Sequence, residues 1–129
     1  MDNDDITPKP LFWIGSSRKD MRSFPTEVKL SMGFALWQAL LGGIHSDVKP
    51  LKGFGGAGTL EVVEDYDGNT YRAVYTVKFA GVIYVLHAFQ KKSKTGKKTP
   101  LHEIDLIRQR LKRAENAHAA WKNKTTDQE

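Results

Sequence analysis

The chain has 129 residues, 40% hydrophobic and 27% charged, with a formal net charge of +5 and no cysteine. That length suits one domain with an ordinary core, and the missing thiols exclude a disulfide framework and thiolate zinc sites. The longest apolar run, Gly81 to Phe89, is far too short to span a bilayer, and the polar, acidic opening MDNDDITPKP is no signal peptide, so a cytoplasmic location is expected.

Residues 1–9 offer only Ile6 for burial and are expected to form a disordered lead. Leu11-Phe12-Trp13-Ile14 predicts a short strand stopped by Gly15. Ser17 as N-cap, with Asp20 three residues on, predicts a helix from Arg18 to Phe24. Pro25 then opens a second helix with Val28, Met32, Ala35, Leu36, Ala39 and Leu40 on one face, ended by Gly42-Gly43. Residues 44–58 are expected to be a glycine-rich connection. Three strands follow in meander order, Thr59–Glu64, Thr70–Phe79 and Val82–Phe89, turning at Asp67-Gly68-Asn69 and Ala80-Gly81.

A final helix starts at Pro100, after the cap residue Thr99. Its apolar stripe is Leu101, Ile104, Ile107 or Arg108, Leu111, Ala114, His118 and Trp121, and its other face carries Arg108, Arg110, Lys112 and Arg113. The expected fold is an α+β domain over residues 10–122 with a frayed tail at 123–129. A small twisted, mainly antiparallel sheet, the N-terminal strand plus the meander, carries an N-terminal helical hairpin and a C-terminal helix.

The glycines at 53, 55, 56 and 58 precede a strand and lack a following Lys-Ser or Lys-Thr, so they are no phosphate-binding loop of the Walker or dinucleotide kind. They suit a loop closing over the sheet, from which Lys49 and Lys52 can touch a phosphate backbone. His45, His87, His102 and His118 are scattered without metal-ligand spacing, and no metal or cofactor is expected. His118 falls on the buried stripe. His87 either hydrogen-bonds in the core or reaches an active face. Tyr71, Tyr75 and Phe79 share one strand face, expected to lie under helices, while Arg72 is on the other.

Charge is concentrated late in the chain. Residues 88–113 hold nine Lys/Arg against Glu103 and Asp105, a net +7 in a chain of +5. A small protein that gathers its charge at one end of a sheet is built to meet a polyanion, with RNA the leading candidate. A hairpin turning at Ala80-Gly81 sets Arg72 opposite about residue 89, so Arg72 meets Lys91 and Lys92 at one sheet end. Glu61 and Glu64 on the preceding strand are placed to balance them. The alternative is a solvated charge rim neutralised by those glutamates.

The segments WIGSSR (13–18), PLKGFGGAGTLEV (50–62), YRAVYTV (71–77), LHAFQKKSKTGKKTP (86–100) and EIDLIRQR (103–110), taken jointly, resemble bacterial toxins of the RelE/HigB superfamily, nearest its phage-related HigB-like branch. The resemblance spans residues 10–121. It implies the toxin of a type II toxin–antitoxin pair, with a helix-turn-helix antitoxin as partner and DNA met only through that antitoxin. It further implies a metal-independent endoribonuclease that cuts mRNA on the ribosome by 2′-hydroxyl attack on the adjacent phosphate.

Under that resemblance Arg72 stabilises the phosphate. Lys91 or Lys92 does the same or protonates the leaving group, and Lys94, Lys97 and Lys98 join the RNA-docking rim. The chain departs from the RelE pattern in carrying Glu61-Val62-Val63-Glu64 in place of strand lysines, and in having no tyrosine between Ser93 and Lys98. The general base is left among Glu61, Glu64 and His87. Two other readings stand beside it: a ParE-like toxin that binds gyrase, and an RNA- or ribosome-binding module without chemistry.

Overall fold

The computed structural model describes residues 7–56, 58–91 and 99–127. Strand β1 (Leu11–Trp13) leads into helices α1 (Ser17–Arg22) and α2 (Thr26–Leu40). Strands β2 (Val48–Pro50), β3 (Thr59–Tyr66), β4 (Asn69–Thr76) and β5 (Ile83–Lys91) follow, and helix α3 (Leu101–Asp127) closes the order. They form one five-stranded sheet in the order β1-β5-β4-β3-β2, antiparallel except for the parallel β1–β5 pair. The expected α+β class and mainly antiparallel meander hold. Among the described residues no helix is long and apolar enough to cross a membrane.

Both sheet faces are covered, as the doubly apolar β4 and β5 require. On one side Met21 of α1 and Val28, Met32, Ala35, Leu36 and Ala39 of α2 pack on Leu60, Val62, Tyr71, Ala73 and Tyr75. On the other, Ile107 and Ala114 of α3, with Leu51 and Phe54 from the glycine-rich loop, pack on Val74, Tyr84, Leu86 and Phe89. Tyr71 and Tyr75 are thus core residues beneath helices, whereas Phe79 joins the α3 side, edge-on to Tyr84 and tilted against His118. Phe79 escapes the period-two pattern because β4 stops at Thr76, three residues short of the expected end.

Several boundaries differ from expectation for identifiable reasons. Ser16, not Ser17, precedes α1; Ser17 is fully buried and its hydroxyl donates to Val85 O at 3.1 Å. Pro25 is the residue before α2 rather than its first. At the other end, Gly42 (φ +90°) donates to Ala39 O at 3.0 Å and Gly43 to Gln38 O at 2.8 Å, a Schellman stop that uses the left-handed freedom of glycine. The connection 44–58 contains the edge strand β2, which sequence reasoning missed because three residues ending in proline carry almost no strand signal. Helix α3 runs on to Asp127, past the expected fray at 123.

Register follows expectation where it matters. Arg72 pairs with Phe89, and Val74 with His87. Beyond them Tyr75 pairs with Val85, leaving Leu86 as a one-residue bulge.

Candidate phosphate-handling site on the α3 face of the sheet

Alternation along three paired strands places Glu61, Arg72 and Lys91 on one face. Glu61 sits opposite Val74, Arg72 opposite Phe89 and Lys91 opposite Thr70, so each charged residue is the diagonal neighbour of the next. All three are buried, at 4%, 5% and 6% exposure. Arg72 Nη1 donates to Glu61 Oε2 at 2.9 Å. Lys49 on β2, directly opposite Glu61, brings Nζ within 3.8 Å of Oε1 while its side chain stays 62% exposed. One carboxylate thus faces two cations, one per oxygen.

Among the described residues, the cations of Lys49, Arg72 and Lys91 gather about the Glu61 carboxylate. The consequence falls on Lys91: burial, then the Arg72 charge, pushes its ammonium below the ordinary lysine value, with Glu61 opposing and Lys49 assisting. A buried lysine made more acidic by a fixed arginine can release a proton to a departing oxygen more readily than a surface lysine.

The other two candidate bases are placed differently. Glu64 pairs with Tyr71 and points, with Leu60 and Val62, to the α2 side of the sheet, away from Arg72. There burial, followed by the carboxyls of Asp47 and Asp65, raises it to about 7. His87 is on the Arg72 face but both ring nitrogens are engaged. Arg110 Nη1 lies 3.2 Å from Nδ1, and Glu103 Oε1 lies 2.8 Å from Nε2. A guanidinium can only donate, so Nδ1 accepts and Nε2 carries the proton toward Glu103. The imidazole, stacked on Phe89 at 4.8 Å, is left no lone pair for a substrate.

Arg110 is the residue that sequence reasoning misplaced. Expected among the outward cations of α3, it is 8% exposed and turned inward. Nη1 also donates to the carbonyl of the bulge residue Leu86 at 3.0 Å, and Nη2 to Ser16 Oγ at 3.0 Å. Its spacing three residues after Ile107 and four before Ala114 was the available signal. Leu101, assigned to the buried stripe, is 74% exposed. Arg108 does face outward, clasping the glycine-rich loop: Nη2 donates to Gly53 O at 2.9 Å and the guanidinium lies 4.5 Å above the Phe54 ring. That loop does close over the sheet.

Lys52 is exposed beside Phe54. Lys92, Lys94, Lys97 and Lys98 lie outside the described residues. Among the described residues no three His, Cys, Asp or Glu side chains group as a metal ion would need.

Residues 19–112 match the family described as Phage derived protein Gp49-like (DUF891). The chain belongs to this family. No curated protein matches it. Among solved structures, the chain is similar to a mutant of the E. coli toxin RelE in the free state, at 16% identity and TM-score 0.52. That match covers 83% of this chain and 98% of the other. A second match, at 18% identity and TM-score 0.44, is the toxin–antitoxin complex RelBE2 from Mycobacterium tuberculosis, covering 70% of this chain and 100% of that one. The fold of this Gp49-like protein is RelE-like.

Proposed function

We propose that this Gp49-like protein is the toxin of a type II toxin–antitoxin pair and acts as an mRNA endoribonuclease on the translating ribosome, in the cytoplasm. Its inhibitor is a cognate helix-turn-helix antitoxin. The observation that carries the reading is the diagonal Glu61–Arg72–Lys91 across β3, β4 and β5. Family membership, and likeness in fold to the E. coli toxin RelE, support the same reading.

The three residues meet the three demands of RNA cleavage by an internal nucleophile. Glu61, the one candidate base on this face with a carboxylate turned toward the cations, accepts the proton of the 2′-hydroxyl. The 2′-oxygen attacks the adjacent phosphorus, and Arg72 balances the charge that grows on the phosphoryl oxygens. The bond from phosphorus to the 5′-oxygen breaks, and Lys91 supplies the proton that oxygen takes up. The products are a 2′,3′-cyclic phosphate and a free 5′-hydroxyl, with every proton accounted for. Lys49 and Lys52 bind flanking phosphates, and the sequence adds the positive charges of Lys92, Lys94, Lys97 and Lys98 for the same RNA.

Controlled expression with mapping of RNA 5′ ends tests this. The expected result is growth arrest with new 5′ ends inside translated messages, both abolished in Lys91→Met and in Arg72→Lys, which keeps a charge but loses the planar fork. Arrest with intact messages and trapped gyrase would replace the ribonuclease reading with a ParE-like one.

A further inference from the structure

Helix α3 and the glycine-rich loop build a stack of planes on the Arg72 face of the sheet. At its base Phe54 is 8% exposed and packs in one cluster with Leu51, Val74 and Ile107. Over the ring, 4.5 Å from its centroid, lies the guanidinium of Arg108. Nη2 donates to Gly53 O at 2.9 Å, so the cation is held at two points. The seat depends on glycine, because a Cβ at residue 53 would stand 3.3 Å from Nη2 and φ there is +90°. Among the described residues Arg108 pairs with no carboxylate and uses one of its five N–H groups, and the residue is exposed.

Register sets this stack beside the Glu61–Arg72–Lys91 cluster. Glu61, Val74 and His87 form one row across β3, β4 and β5. Val74 shares its cluster with Phe54, and His87 is reached by Glu103, from the turn of α3 that precedes Arg108. The loop itself leaves β2 just after Lys49, whose ammonium lies at Glu61, and enters β3 at Thr59, two residues before Glu61.

We propose that the Phe54–Arg108 stack is a base-docking platform, on which a nucleobase flanking the scissile phosphate of single-stranded RNA lies against the outer face of the guanidinium. The inference rests on the ribonuclease reading and adds where a base of the substrate, as opposed to its phosphate, is held. Three features favour a base. First, a guanidinium is a planar, weakly hydrated cation that stacks on aromatic faces, and every nucleobase has such a face. Second, Phe54 below and the Gly53 carbonyl at the side fix the plane before a ligand arrives, which lowers the ordering cost of binding. Third, Gly55 and Gly56 have, among the described residues, nothing within 4 Å of where a Cβ would stand, so bare backbone flanks the platform and leaves room for a ribose. A phosphate asks only for charge, and the exposed Lys52 on the same loop supplies that.

Binding of a short single-stranded RNA with 2′-O-methyl groups throughout, which cannot supply the attacking hydroxyl, tests the proposal without cleavage. Each nucleotide is replaced in turn by an abasic one, and Kd is measured for wild type, Arg108→Ala and Arg108→Lys. For wild type, loss of one particular base is expected to weaken binding roughly 5–100-fold. Both variants should bind the intact RNA more weakly by a similar factor and be indifferent to that base. A clasp that only holds the loop would weaken every RNA alike and show no such coupling, which overturns the proposal. Arg108→Lys that binds as tightly as wild type marks a site for charge alone and also overturns it, as does wild type that no abasic substitution weakens. The cut ends made by wild type on unmodified messages report the ribonuclease reading separately: coupling to a base without cleavage would keep the platform and remove the chemistry.

Discussion

Glu61 and Arg72 are worth most as a pair. Each is almost fully buried, so removing either takes away the other's ion-pair partner at 2.9 Å in a low-dielectric setting, Glu61 keeping only the exposed Lys49 ammonium at 3.8 Å. Glu61→Ala is expected to destabilise by about 3–5 kcal/mol, while Glu61→Leu with Arg72→Met, which removes both charges, returns much of that loss. Denaturant unfolding of the two variants checks this, and equal losses would contradict it. The double variant should fold yet cleave nothing.

Lys91 makes a kinetic prediction. As the proton donor of the proposed mechanism it has to be charged, and burial together with the Arg72 charge holds it below the ordinary 10.5. Cleavage should therefore fall off on the alkaline side before pH 10.5. Lys91→Met should lose about 10²–10⁴-fold in rate at neutral pH without loss of fold. A rate within a few-fold of wild type would remove Lys91 from the chemistry.

Glu64 has a separate signature, in stability. Its folded value of about 7 lies above the 4.5 of the free side chain, so the folded state prefers it protonated. Its contribution is fully present below about pH 4.5 and is lost as pH rises through about 7. The melting temperature should rise from about pH 8 to about pH 5 more in wild type than in Glu64→Gln, and the variant should be the more stable of the two near pH 8. Superimposable pH profiles would contradict this.

At the scale of elements, legibility tracked the length and periodicity of each signal. The β4–β5 hairpin was readable because Gly81 (φ +81°) marks its turn, and counting back from there gives the observed pairing of Arg72 with Phe89. The Leu86 bulge was not readable, since an extra residue in an apolar run leaves no trace in alternation. Strand β2 was hidden by its brevity, and with it the reason Lys49 meets Glu61. Arg110 was hidden by its charge: a guanidinium on a helix face reads as solvent-facing until the bulge carbonyl and His87 Nδ1 supply partners. Those contacts predict that Arg110→Met frees Nδ1 and leaves the Leu86 carbonyl unsatisfied. It should cost about 1–3 kcal/mol and shift the His87 ring resonances in NMR spectra. An unchanged His87 resonance would show that the network does not hold the ring.

For the whole molecule, two helical layers on a five-stranded sheet divide the work. The α1–α2 side carries most of the core. The α3 side carries the buried charge cluster and the loop clasped by Arg108. The fold and the convergence of Arg72 with Lys91 could be read from pattern and pairing. Which glutamate stands with them could not, because Glu61 and Glu64 differ only in strand phase against a register that had to be seen.

The central claim is that this cluster cleaves RNA through its own 2′-hydroxyl, and the chemistry of the cut ends tests it most directly. Purified protein acting on messages in translating ribosomes should leave 2′,3′-cyclic phosphates, or the 3′-phosphates they open to, together with 5′-hydroxyls. Fragments bearing 3′-hydroxyls and 5′-phosphates, or no fragments from a folded protein, would contradict it.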